Sequence, residues 1–304
     1  MRLLLISLLF LSSSISFAYQ AKTVKEHRSF QKFVEVEGGK IAYIDEGKGK
    51  AILLVHGVPT SSWLYRHMIP ELVNAGYRVI APDLLGYGNS EKPKTVSFYD
   101  ADKQAKRLIA LMDSLNIETW EHICHDAGGV WTWELLTRAK GRVDRLIILN
   151  TIGFKKGFHP PFKFEPNDLG GVVYAKLYKS KLYGKGVMRK TLYNGTNKKK
   201  FSKADRKGYW LPMREGGHRA IYNFFITTCN GVKNYDTLYT NLKMPIKIIW
   251  GMKDDILRGE EQIPQFKALI PHLKEKDILR FTDAKHFIQE ERPKEIVAFI
   301  QKNQ

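Results

Sequence analysis

Residues 118–141 read ETWEHICHDAGGVWTWELLTRAKG. A short stretch that reads as a buried strand enters a glycine-lined turn, and a helix begins at once on its far side. A strand joined to a helix with no spare loop must turn sharply, and glycines allow the close backbone approach such a turn needs. The residue at the tip, here Asp126, is displayed beyond the end of the strand, where a nucleophile would sit.

The same alternation recurs along the chain. FVEVEGGKIAYIDEG (33–47) reads as a β-hairpin about Gly38 and Gly39. AILLV (51–55), YRVIAPDL (77–84), VDRLIILN (143–150), MPIKIIWG (244–251) and DILRF (277–281) read as strands. The periodicity predicts helices over 61–76, 100–116, near 260–270 and through PKEIVAFIQKN at the C-terminus. Strands alternating with helices imply right-handed crossovers and an α/β fold with a mainly parallel sheet flanked by helices. Between 154 and 240 the alternation lapses into a Tyr-, Lys- and Gly-rich stretch without a clear strand. We read 19–153 and 241–304 as two parts of one α/β core, and 154–240 as an inserted helical cap.

Residues 1–18 are set apart. Arg2, the apolar run Leu3–Leu11 and the small-x-small ending Ser16-Phe17-Ala18 have the form of a cleavable signal peptide. The run is shorter than the roughly 20 apolar residues a membrane anchor needs. The expectation is cleavage before Tyr19, a secreted or periplasmic protein, and no integral membrane segment. Only Cys124 and Cys229 are present, so no disulfide framework stabilises the chain. A reduced, buried Cys124 is the default, and a Cys124–Cys229 bridge stays open.

The formal charge is +18, concentrated in GFKKGFHPPFKF, KSKLYGKGVMRK and NKKKFSKADRK. Such a field favours anionic surfaces. No nucleic-acid reading motif accompanies it, so no specific nucleic-acid partner is expected. Contact with anionic surfaces should be weak and salt-sensitive, since exposed charges are screened within about 8–10 Å at 0.1–0.15 M salt.

In open α/β sheets, chemistry gathers beyond the carboxyl ends of the strands. The loops there are His56-Gly57-Val58-Pro59, Asp126, Gly251-Met252-Lys253-Asp254-Asp255 and Thr282-Asp283-Ala284-Lys285-His286. The chain order is nucleophile, acid, histidine. A carboxylate nucleophile needs no activating base at neutral pH and can attack an sp³ carbon bearing a leaving group, giving an alkyl ester on the enzyme. Attack on an ordinary ester would give an anhydride, which disfavours esterase chemistry. His286 would then activate water to hydrolyse that ester, with a carboxylate fixing its tautomer. That carboxylate is Asp254 or Asp255, and the spacing from the strand end favours Asp254. Backbone N–H groups of Val58 and Ala127 are placed to bind the oxyanion. Neither a metal-ligand cluster nor a phosphate-cradling loop occurs, so the reading calls for no cofactor, only a small-molecule substrate.

HGVPTSSWLYR, APDLLGYGNSEKP, HDAGG, WGMKDD and DAKHF together resemble the haloalkane dehalogenase and epoxide hydrolase branch of the α/β-hydrolase family. The resemblance covers nearly all of 30–304 outside the cap. It implies the aspartate mechanism, and two departures bear on the substrate. Haloalkane dehalogenases carry a halide-binding tryptophan after the nucleophile and often an asparagine after the His-Gly pair. Here those positions are Ala127 and Val58. A cap tryptophan such as Trp210 is a candidate substitute. Epoxide hydrolases use cap tyrosines to protonate the epoxide oxygen. VVYAKLYKS resembles the first such segment and nominates Tyr174, with Tyr178 as second choice. GGHRAIYNFF resembles the other, but Phe225 stands where the tyrosine is expected, and Tyr222 is the nearest hydroxyl. Epoxide hydrolases usually keep the tryptophan after the nucleophile too, so Ala127 departs from both, and the resemblance favours an epoxide only slightly over a haloalkane. A catalytically silent binding or sensing protein on the same fold is the alternative of another class.

Overall fold

The computed structural model describes residues 19–198 and 200–302; the leader assigned to 1–18 lies outside the described residues. The chain opens with α1 (Val24–Ser29), held by a capping box between Thr23 and Glu26. The predicted hairpin follows as β1 (Lys32–Val36) and β2 (Gly39–Glu46), paired antiparallel with Val36 opposite Gly39. Next come β3 (Ala51–Val55), α2 (Met68–Asn74), β4 (Arg78–Pro82), α3 (Ala101–Ser114), β5 (Trp120–Asp126), α4 (Gly128–Arg138) and β6 (Val143–Thr151). Four helices then interrupt the alternation: α5 (Leu169–Leu177), α6 (Tyr183–Asn194), α7 (Lys203–Pro212) and α8 (His218–Ile226). The core resumes with α9 (Asp236–Asn241), β7 (Ile246–Gly251), α10 (Gly259–Leu269), β8 (Ile278–Phe281), α11 (Ile288–Glu291) and α12 (Pro293–Gln301).

The eight strands form one sheet in the order β1-β2-β4-β3-β5-β6-β7-β8. Only β1 and β2 run antiparallel to their neighbours; β3 to β8 pair in parallel. The strand carrying Asp126 is therefore central and buried along its whole length. α9 packs on the core rather than on the cap helices: the Tyr239 hydroxyl donates to the Gly153 carbonyl at 2.9 Å, and its ring lies against Trp133 and Phe266. Cys124 and Cys229 are both unpaired and buried. Among the described residues no helix is long and apolar enough to cross a membrane.

The predicted helix over 61–76 is two pieces. A 3₁₀ turn spans Ser62–Tyr65, and α2 begins only at Met68. Pro70 explains the break, because in a continuous helix its ring would meet the carbonyl of Arg66. The break frees Arg66 to turn inward. The residue is 3% exposed, and its guanidinium makes a two-pronged contact with Glu290 and a 2.8 Å bond to Asp205 of α7, and lies over the Trp63 ring. The Tyr209 hydroxyl donates to Glu290 at 2.5 Å, and Lys198 approaches the same carboxylate at 3.2 Å. One buried charge cluster thus joins the 62–66 turn, the cap and the segment after His286. Arg66→Met should destabilise the fold by roughly 3–5 kcal/mol, since it strands the Glu290 carboxylate. A urea midpoint within error of the parent's, at unchanged slope, would refute that.

Candidate active site

β5 ends in the sharp turn that the sequence announces. Asp126 sits at φ 53°, in the left-handed region that side chains other than glycine rarely occupy. Neighbouring backbones close around it. A Cβ on Gly57 would lie 2.3 Å from the Asp126 Cβ, and one on Gly128 would lie 2.6 Å from the Val55 carbonyl oxygen. The loop after β3 and the start of α4 can approach the nucleophile position only because both residues are glycine. The Val58 N–H donates to Asp126 Oδ1 at 2.7 Å, and the Ala127 N–H also bonds this carboxylate. Burial raises the Asp126 pKa, and the His286 charge and these two N–H groups only partly offset it.

His286 follows β8 and faces this carboxylate. Its Nε2 lies 3.7 Å from Asp126 Oδ2, beyond direct hydrogen-bond length, and its Nδ1 donates to Asp254 Oδ2 at 2.7 Å. Of the two neighbouring aspartates after β7, Asp254 is buried against the imidazole, whereas Asp255 is exposed at the cavity wall. Asp254 is fixed from both sides. Oδ1 accepts the N–H groups of Ile256 and Leu257 at 2.9 and 3.0 Å, and Oδ2 also accepts from Asn150 Nδ2 at 2.8 Å. Burial alone would depress the His286 pKa. The Asp254 charge and hydrogen bond, with the charge of Asp126, outweigh it and leave the imidazole above its ordinary value.

Two supporting residues escaped the sequence reading. Asn150, at the end of β6, locks Asp254 and also bonds the Gly251 backbone, accepting at 2.8 Å. His125 is fully buried beneath the nucleophile and donates Nε2–H to the His286 carbonyl oxygen at 3.0 Å, while burial holds it neutral. The strand into Asp126 reads Trp-Glu-His-Ile-Cys-His, so His125 is one of several polar residues there with nothing local to single it out, and an asparagine after a strand has no distinguishing local pattern.

Asp126, Asp254 and His286 open onto a cavity of about 650 Å³ between core and cap. Tyr174 of α5 and Tyr178, which caps that helix, line it together with Phe225 of α8, the Tyr174 and Phe225 ring centroids being 6.0 Å apart. Burial pushes the Tyr178 phenol up to about 12 and raises Tyr174 further, aided by the neighbouring Tyr178 and Tyr183 hydroxyls. Both therefore remain neutral donors. Tyr222 and Trp210 do not join them among the described lining residues. The Tyr222 hydroxyl is turned to accept the Asn167 N–H at 3.1 Å. Trp210 is packed between α6 and α7, with Lys185 Nζ 4.8 Å above its ring. No indole N–H faces the cavity among the described residues.

Residues 50–293 match the family described as alpha/beta hydrolase fold. A cis-3-alkyl-4-alkyloxetan-2-one decarboxylase of Shewanella oneidensis is 28% identical over 284 residues, covering 88% of this chain and 86% of the relative. Epoxide hydrolase 3 of Siraitia grosvenorii is 27% identical over 304 residues, covering 88% and 95%. Among solved structures, a tetrameric haloalkane dehalogenase of Paraglaciecola agarilytica superposes with a TM-score of 0.68 at 26% identity, covering 88% and 90%. The chain belongs to the α/β-hydrolase fold family, in the branch that holds the haloalkane dehalogenases and epoxide hydrolases.

Proposed function

We propose that the protein is an exported hydrolase that opens an epoxide through a covalent alkyl-enzyme ester on Asp126. The observation that carries this reading is a carboxylate, rather than a hydroxyl, at the strained tip of β5, with the Asp254–His286 pair behind it. In the first step Asp126 attacks an sp³ ring carbon, the C–O bond breaks, and a phenol on α5 protonates the departing alkoxide. In the second, His286 takes a proton from water, the hydroxide adds to the ester carbonyl, and Val58 and Ala127 N–H groups hold the oxyanion until the alkyl–oxygen product leaves. The imidazolium gives its proton to the leaving alkoxide, the second proton of the water restores the phenol, and Asp126 returns as a carboxylate.

A haloalkane is the second reading, favoured by the same nucleophile. It is weakened by Ala127 and by the absence of an indole N–H from the described lining, because a departing halide needs donors. An oxetan-2-one, the ring in the Shewanella relative's name, also presents a strained C–O bond at an sp³ carbon. Diol formation from an epoxide panel, measured beside halide release from a haloalkane panel, separates these readings. Failure on both and on an oxetan-2-one, with folding intact, would leave the silent binding protein.

Tyr174→Phe removes the first-choice proton donor. Epoxide opening should slow by roughly 10- to 1000-fold, while haloalkane turnover, which needs no such proton, should change little. Parental epoxide rates would reduce Tyr174 to a wall of the cavity and transfer the proposed role to Tyr178.

A further inference from the structure

Of the seven large apolar side chains exposed among the described residues, six lie between 162 and 183: Phe162, Leu169, Val173, Leu177, Leu182 and Tyr183. Leu169, Val173 and Leu177 are spaced four apart on α5 and make one ridge on its outer face, while Gly171 and Ala175 are buried beneath. Leu169 is 76% exposed and Leu182, just beyond the helix, 89%. Such clustering is uncommon on a soluble surface and marks a contact face. The same stretch is strongly basic. Residues 169–190 hold Lys176, Lys179, Lys181, Lys185, Arg189 and Lys190 and not one acidic residue.

We propose that this face of the cap docks on an anionic lipid bilayer. The ridge would enter the headgroup–acyl boundary, and the lysines would lie against lipid phosphates with their methylene stems along the apolar surface. Charge selects this occupant over others. A second copy would bring the same positive surface against its like, and a neutral apolar partner would leave the lysines uncompensated. The cavity gives the docking a purpose. Phe162 and Tyr183 belong both to the exposed patch and to the cavity lining, as Lys190 does from the basic stretch, so the mouth opens on the docked face. If the proposed ring-opening chemistry holds, the substrate is an apolar, chain-bearing epoxide dissolved in the membrane rather than a small polar one in water.

Co-sedimentation of the whole protein with vesicles tests this. Vesicles of phosphatidylcholine mixed with phosphatidylglycerol should bind at least about tenfold more tightly than phosphatidylcholine alone at about 0.1 M salt. Leu169→Ser/Val173→Ser/Leu182→Ser should weaken that binding on the order of tenfold without adding charge. Lys176→Gln/Lys179→Gln/Lys181→Gln should remove most of the lipid preference. All six side chains are exposed, so thermal midpoints and turnover of a short water-soluble epoxide should match the parent, whereas turnover of a long-chain epoxide in vesicles should fall with binding. Equal binding by the serine variant overturns the proposal. So does retention on heparin or an acidic polypeptide without vesicle binding, and so does self-association that the serine substitutions abolish. Vesicle binding that follows these expectations in a protein inert toward every epoxide would retain the docking face and refute the proposed function instead.

Discussion

His286→Ala is expected to react once and stop. Attack by Asp126 on carbon requires neither water nor a base, whereas release of the product requires both. The variant should gain the mass of the opened substrate, and peptide mapping should place it on Asp126. Steady-state turnover should drop by roughly 10²- to 10⁴-fold, the usual worth of a positioned base. The parent carries its own version of this result. His286 works as a base only when neutral, and its pKa in the free enzyme is raised in part by the charge of Asp126. Esterification removes that charge. The acid limb of kcat, which reports the ester, should therefore fall at lower pH than the His286 titration seen by NMR in the free enzyme. An unmodified variant under conditions in which the parent turns the substrate over would mean that Asp126 is not the nucleophile.

Asp254→Asn should cost about as much, for a different reason. An amide that still accepts from the Ile256 and Leu257 N–H groups through its oxygen must present its NH₂ to Asn150 and His286. His286 Nδ1 then becomes an acceptor, the proton moves to Nε2, and the nitrogen facing Asp126 can no longer take a proton from water. A loss of roughly 10³- to 10⁴-fold in turnover is expected, again with ester accumulation. Asp255→Asn, at the exposed neighbour, should leave turnover within a few-fold of the parent. If the two substitutions have equal effects, the pairing of His286 with Asp254 is not what sets its tautomer.

Much of this was legible before any coordinates. Strands and helices of the core follow from apolar periods of two and 3.6, which burial in a layered sheet imposes locally. The triad positions follow because strand ends in such a sheet face one side, so residues far apart in sequence need only the right strand order to meet. What escaped the sequence depends on contacts between distant segments. α1 lacks a periodic apolar face of its own and is held instead by Tyr19, whose hydroxyl meets His27 Nδ1 at 2.5 Å, and by Arg28 reaching Glu215 of the cap. Pro70 stands in the sequence, but the apolar period of 61–76 runs straight through it and hides the break. The fates of Tyr222 and Trp210 turned on which way a cap helix faces. In a segment apolar on several sides, periodicity alone does not decide that.

The buried Arg66 cluster limits how freely the two halves of the molecule can be recombined. Asp205 and Tyr209 come from the cap, and their partners Arg66 and Glu290 come from the core. A chimera carrying a foreign cap would inherit Arg66 and Glu290 without their cap partners, and Glu290 lies four residues from the histidine that must stay aligned. Swapping substrate range by cap exchange in this scaffold therefore means moving four residues, not one segment. An engineered hybrid that keeps only the core half would be expected to misplace its base before it ever met a new substrate.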